Sequence, residues 1–373
     1  MNHWSANPVW WKINLLARGL VWQGDVQREE LVTLELPSAS GRRVYCTLMT
    51  GRHPSGRELT LAQPEPDRYI VQLDDAQIEA YVQRDSVLLG QRLSTGIPLL
   101  GALYPTGSWI ATGIRADGKV RTPLMSYDEL EEAVRLITAA RHTTGLMLAP
   151  PSTDRRTGGI GLLEPYISRL KNRTRLRIFA EIDPPRDTTW IERLYAWGAD
   201  GLFIPLKSTD RAIDAATYRG KVVDALQFAA GVFPLGAVAT SLDPTVGSVT
   251  DNMQLVAELM QAGVVPLLYY AQPQRDAAAF EQHIATLAQN CANVRELPER
   301  WIGGLGHLVS PRDLCCLLEH EPRSSMSFEP LYRTALGERL VTGLGNWRRS
   351  LRVTDKYSDS TDERQDISKI NLH

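Results

Sequence analysis

"LRIFAEIDPPRDTTWIERLYAWGADGLFIPLK", residues 176–207, decides the fold. Two apolar runs, LRIFAEID (176–183) and GLFIPLK (201–207), flank a segment in which Trp190, Ile191, Leu194 and Tyr195 recur at helical spacing. Neither run alternates polar with apolar residues along its length. Continuous apolar runs of this kind are parallel strands covered on both faces, which need a crossover helix between them. Gly198 falls where that helix must stop, and glycine suits the left-handed residue that ends a helix. The stretch is a strand–helix–strand unit.

The same grammar extends in both directions. Apolar runs recur at 108–113, 145–150, 236–243 and 264–270, and MQAGVVPLL repeats the glycine exit before the last of them. Ser126 and Glu129 have the S-x-x-E spacing of a capping box, placed to open a helix with its stripe at Tyr127, Leu130, Val134 and Ile137. Right-handed crossovers curl such a series into an open doubly wound sheet or a barrel. Six strands rather than eight predict an α/β fold built on a partial (β/α)6 TIM-like barrel, with an N-terminal accessory region and a C-terminal helical extension. The expected boundaries are 1–95 for the accessory region, 96–290 for the barrel, 291–351 for the extension and 352–373 for a flexible polar tail. Within the accessory region, LVTLELP (31–37) and RRVYCTLMTG (42–51) are expected as strands around a turn at SASG, and 74–93 as a helix.

Bulk composition excludes several classes. With 41 basic against 43 acidic residues the chain has no global field to attract nucleic acid, so none is expected as a partner. Four cysteines (Cys46, Cys291, Cys315, Cys316) are too few and scattered for a disulfide scaffold, and point to a reducing, cytoplasmic location. No stretch approaches the roughly 20 apolar residues of a membrane span, and no secretion signal is recognisable at the N-terminus. The tryptophan-rich NPVWWKINLLARGLVW (7–22) has two readings. It is either an interfacial helix making peripheral membrane or partner contact, or a helix packed on its own domain.

In parallel α/β folds, sites lie at the carboxyl ends of the strands. Glu181 and Asp183 alternate about Ile182, so both carboxylates share one face if the strand stays regular. Lys207, also at a strand end, has the position of a nucleophilic or clamping lysine. TGGIG (157–161) precedes a helix and could present backbone N–H groups to an anion, but it is neither a Walker loop nor a dinucleotide fingerprint. The seven histidines form no metal-binding spacing, and no metal site is expected.

Residues 180–210 together with 218–273 resemble the middle and end of the radical S-adenosylmethionine barrel, in the biotin-synthase-like and lipoyl-synthase-like branch. The resemblance rests on the acidic, proline-followed strand end EIDPP, the GAD turn, GAVATSLD opening the fifth strand and the GVVP strand that closes the unit. GIPLLGALYPTG (96–107) is similar to that branch's lead-in to the cluster loop. The resemblance implies a loop after the first strand with C-x-x-x-C-x-x-C, three thiolates holding a [4Fe–4S] cluster. Here the loop from Gly113 to Ser126 has no cysteine and offers Arg115, Asp117 and Lys119 instead. Cluster binding needs soft sulfur donors, so no iron–sulfur cluster is expected.

What the resemblance then implies is a degenerate member that acts as a non-catalytic subunit or scaffold, beside an active radical S-adenosylmethionine enzyme or in a larger complex. Remaining S-adenosylmethionine contacts would fall on Gly158, Gly159, Ser241 and Asp243. Two alternatives stand beside it: a cluster-free enzyme using Glu181, Asp183 and Lys207, and a sensor of S-adenosylmethionine or a nucleotide.

Overall fold

The computed structural model describes residues 7–23, 25, 31–37, 43–51, 59–65, 68–73, 76–82, 101–104, 107–111, 115–116, 120–121, 126–139, 145–150, 156–171, 173, 177–206, 212–244, 246–270, 277–292 and 308–318. Helix α1 (Pro8–Arg18) starts at Asn7, whose side chain accepts from the Val9 N–H, with proline at the first helical position. It is buried all round. Trp11 is fully enclosed and Trp10 stacks edge-on against it at 5.2 Å. The tryptophans of this helix therefore pack into the protein's own interior. No helix among the described residues is long and apolar enough to cross a membrane.

Strands β1 (Leu20–Trp22), β2 (Leu31–Pro37), β3 (Arg43–Met49), β4 (Leu59–Glu65), β5 (Arg68–Leu73) and β6 (Ala76–Val82) form one sheet in the order β1-β4-β5-β6-β2-β3. Thr50, just past β3, bridges back to Leu20 in β1, and the Gly51 N–H donates to the Leu20 carbonyl at 3.0 Å. The first and last strands of that order thus meet, and the sheet closes on itself. The expected β2–β3 hairpin is present, in register from Leu31↔Met49 to Pro37↔Arg43.

The helix expected over 74–93 is corrected: Ala76–Val82 is a strand. Leu73 pairs with Ala76, and β6 has a neighbour on each side, β5 and β2. Ladder hydrogen bonds on both edges outweigh a helical propensity worth only tenths of a kcal/mol per residue. Residues 83–93 of that expectation lie outside the described residues.

The second sheet carries the predicted crossover series. Its strands are β7 (Gly101–Tyr104), β8 (Gly107–Ala111), β11 (Gly145–Ala149), β12 (Arg177–Glu181), β13 (Gly201–Phe203), β14 (Val238–Leu242) and β15 (Val264–Leu268); β9 (Arg115–Ala116) and β10 (Val120–Arg121) form a separate two-stranded ribbon. The sheet order is β15-β14-β13-β12-β11-β8-β7. From β8 to β15 every pairing is parallel and every strand lies beside its sequence neighbour in the sheet. There is no point where the order reverses, so this part is singly wound.

The crossovers are α2 (Tyr127–Ala139), α3 (Ile160–Lys171), α4 (Thr189–Trp197), α5 (Ala212–Val232) and α6 (Val249–Gln261); α7 (Ala277–Ala292) and α8 (Pro311–Leu318) follow the last strand. The capping box at Ser126 forms as expected, with Glu129 N–H to Ser126 Oγ at 3.3 Å and Ser126 N–H to the Glu129 carboxylate at 2.6 Å.

At both ends of the parallel series the chain turns antiparallel. β7 lies against β8 on one side, and on the other Leu268 and Val309 exchange N–H···O bonds of 2.8 and 2.9 Å. Just beyond Val309, Asp313 on α8 meets Lys12 of α1 at 2.9 Å in a buried ion pair. Asp313 also closes a capping box with Ser310, exchanging bonds of 3.2 and 3.1 Å. One continuous apolar core runs through both sheets and α1.

Candidate functional site

The carboxyl ends of the parallel strands hold most of the polar candidates. Along β12, Ile178, Ala180 and Ile182 are fully covered, whereas Arg177, Glu181 and Asp183 are partly exposed. The Ile182 N–H donates to Phe203 O at 3.0 Å and the Asp183 N–H to Gly158 O at 3.1 Å, on opposite sides of the chain. The backbone thus stays extended past the end of β12, and Glu181 and Asp183 share the face away from the buried isoleucines, as the alternation predicted.

Gly158 meets them for a packing reason. Its φ is +65°, and a Cβ there would lie 2.0 Å from the Asp183 carbonyl oxygen. Only glycine allows the turn to press onto the β12 end. The neighbouring Gly159 N–H donates to Thr157 Oγ1 at 3.2 Å, and the Ile160 N–H to Thr157 O at 3.2 Å. The turn before α3 therefore spends these amides within itself. Arg186 N–H to Arg156 O at 3.2 Å completes the seal between the turn and the β12 end.

The GAD turn is structural as well. Gly198 has φ +117° and donates to Leu194 and Tyr195 carbonyls at the end of α4. Asp200 accepts from the Ile178 N–H at 2.9 Å and from Lys171 Nζ at 2.9 and 2.8 Å, tying the end of α3 to the start of β12.

Ser241 lies two strands over from Glu181 and two residues further along, about 12 Å away. It is buried and pairs in register with Leu267. Asp243 follows the end of β14 and is also buried. The structure thus brings Glu181, Asp183 and Gly158 together at one place on the rim and puts Ser241 and Asp243 at another. Lys207 lies outside the described residues, as does most of the loop from Gly113 to Ser126.

The β14–β15 end holds residues that the sequence did not group. The Tyr269 N–H donates to Leu242 O at 3.1 Å, continuing the Leu242↔Leu268 register, so Asp243 lies beside Tyr269 and one residue from Tyr270. Tyr270 meets Phe280 of α7 edge-on at 5.4 Å between ring centroids. One turn on, His283 shares that helix face. Tyr270 Oη and His283 Nε2 are both buried and neither has a hydrogen-bond partner. Leaving a buried polar atom unsatisfied costs about 1–3 kcal/mol. Burial raises the Tyr270 phenol well above its ordinary range, and the Asp243 charge adds to the shift. Burial pushes His283 below the ordinary histidine range, and Asp243 offsets part of that effect. Both side chains are thus held neutral near pH 7 beside a carboxylate. Sequence spacing could not reveal this group, because Asp243, Tyr270 and His283 come from three separate elements.

Two of the four sulfur atoms, those of Cys46 and Cys291, are enclosed. Cys46 is enclosed against α1, with its Sγ 4.0 Å from the Lys12 carbonyl, and burial raises its thiol to about 12. Cys291, on α7, is likewise raised to about 12, by burial and then by Cys315. Among the described residues no group of three or more His, Cys, Asp or Glu side chains is placed to hold a metal ion.

No protein-family model and no curated protein matches the sequence. Among solved structures, an archaeal fructose 1,6-bisphosphate aldolase is similar at 18% identity and a TM-score of 0.28, over 48% of this chain and 69% of that one. A GH20 β-N-acetylhexosaminidase from Streptomyces coelicolor A3(2) is similar at 13% identity and a TM-score of 0.28, over 73% of this chain and 69% of that one. Similarities this low carry no argument about fold or activity.

Proposed function

We propose that this chain is a degenerate radical S-adenosylmethionine-like protein, a partial (β/α)6 barrel without an iron–sulfur cluster that serves in the cytoplasm as a non-catalytic subunit or scaffold of a larger complex. The observation that carries the reading is the singly wound parallel series from β8 to β15, in which no strand order reverses. A right-handed series of that kind curves toward a barrel rather than a doubly wound sheet. Supporting it, the chain that follows β8 has no thiolate in the stretch where the resembling family places three. The partner it implies is a protein, with an active radical enzyme of the same superfamily as the first candidate.

The test is anaerobic purification from the native host, with iron, sulfide and the ultraviolet–visible spectrum recorded and co-purifying proteins identified in the same sample. The reading predicts a colourless, iron-free chain arriving with a stoichiometric partner. A brown protein with about four irons per chain overturns it. S-adenosylmethionine titrated into the purified chain separates the scaffold from a sensor: saturable binding favours the sensor.

A further inference from the structure

We propose that the carboxyl ends of β14 and β15, together with α7, form a binding site for a primary ammonium group, held by the Asp243 carboxylate, Tyr270 Oη and His283 Nε2. The inference goes beyond the scaffold reading and does not depend on it. It starts from two enclosed polar atoms without partners, Tyr270 Oη just past the β15 end and His283 Nε2 on α7. The Leu242↔Leu268 register and the Tyr269 N–H···Leu242 O bond of 3.1 Å bring Asp243 to the same end. Phe280 and Tyr270 add aromatic walls, their rings 5.4 Å apart.

The ligand class follows from counting donors and acceptors. A phenol oxygen can accept, a neutral imidazole with its proton on Nδ1 presents a lone pair at Nε2, and an ionised carboxylate only accepts. Three acceptors match the three N–H donors of a primary ammonium, and the carboxylate supplies the opposite charge. Aromatic faces beside the site favour a cation further. An anion is repelled by Asp243. A single hydroxyl has one hydrogen to donate and leaves two acceptors unmet. The ammonium could belong to a small free amine or to a lysine side chain of a peptide.

The experiment uses the full chain with three salts at equal ionic strength: methylammonium chloride, tetramethylammonium chloride and sodium chloride. The readouts are the thermal midpoint and the His283 imidazole signals in NMR, assigned by their loss in His283→Gln. Methylammonium is expected to shift the His283 signals saturably and raise the midpoint, while tetramethylammonium, with the same charge and no N–H, matches sodium. Tyr270→Phe, which keeps the ring, is expected to weaken methylammonium binding about fivefold or more. N-acetyl-lysine methylamide distinguishes the sources: binding tighter than methylammonium assigns a peptide lysine, and weaker or absent binding a small free amine. Equal responses to methylammonium and tetramethylammonium overturn the proposal. So does methylammonium binding unchanged by Tyr270→Phe. If Tyr270→Phe fails to fold, the comparison of the three salts in the parent chain decides alone.

Discussion

Two places on the parallel sheet's rim, the middle at β12 and the edge at β14–β15, treat their polar groups in opposite ways. At the β12 end, backbone N–H groups are spent locally: Asp183 on the Gly158 carbonyl, Arg186 on the Arg156 carbonyl, Gly159 on the Thr157 hydroxyl. At the β14–β15 end, a phenol oxygen and an imidazole nitrogen lie enclosed without partners beside a buried aspartate. The first arrangement stabilises the fold; the second costs stability. Polar groups held at such a cost belong to function more often than to architecture. The carboxylate pair that alternation made conspicuous thus sits at the sealed end, and the better site candidate is the end that had no motif.

Substitutions should separate the sealed polar groups from the unsatisfied ones by sign. The largest effect is expected at Lys12→Met, which strips the partner from Asp313 in the buried ion pair. Losing one member of such a pair costs about 3–5 kcal/mol, read as a lower urea midpoint with unchanged slope. A loss below about 1 kcal/mol would show that the pair is not sealed.

Gly158→Ala comes next. Its Cβ has to displace the Asp183 carbonyl at a φ of +65°, at a cost of about 2–3 kcal/mol. An alanine tolerated there within 0.5 kcal/mol or so would mean that the turn does not press on β12. Tyr270→Phe should move the other way, stabilising the ligand-free chain by about 1 kcal/mol, because it removes an enclosed hydroxyl that has no partner. A measured destabilisation would mean that the hydroxyl is satisfied in solution.

The smallest effect is a pH dependence. His283 has a folded pKa below its ordinary 6.5, so as pH falls through 6.5 the unfolded chain takes up the proton first. Stability contributed by the neutral form is present above pH 6.5 and is lost on acidification toward the lowered folded value. His283→Gln should flatten the acid side of the stability profile. An unchanged slope would place His283 in contact with water.

The parallel half was readable because its evidence is local. Apolar runs, the glycine exits at Gly198 and Gly263, and the Ser126 capping box each act over a few residues. The strand at Ala76–Val82 was missed because its identity comes from neighbours on both sides, β5 and β2, which no window of sequence contains. Tryptophan spacing in α1 gave amphipathic and self-packed readings alike, because burial on every side is set by what packs around the helix. At the rim, alternation placed Glu181 and Asp183 correctly on one face but said nothing of the amides that seal them. Gly158 and Gly159 looked like an anion cradle because glycines that permit close backbone packing and glycines that expose N–H groups are spelled alike.

The Lys12–Asp313 contact joins residues 301 positions apart. A ribosome adding about 5–20 residues per second therefore needs roughly 15–60 s after making α1 before it makes the residue that neutralises Lys12. Through that interval Lys12 lacks its counter-charge, while α1 can already pack on β2 and β3. The buried ion pair is therefore among the last contacts this part of the chain can complete, and the burial of Lys12 has to wait for it.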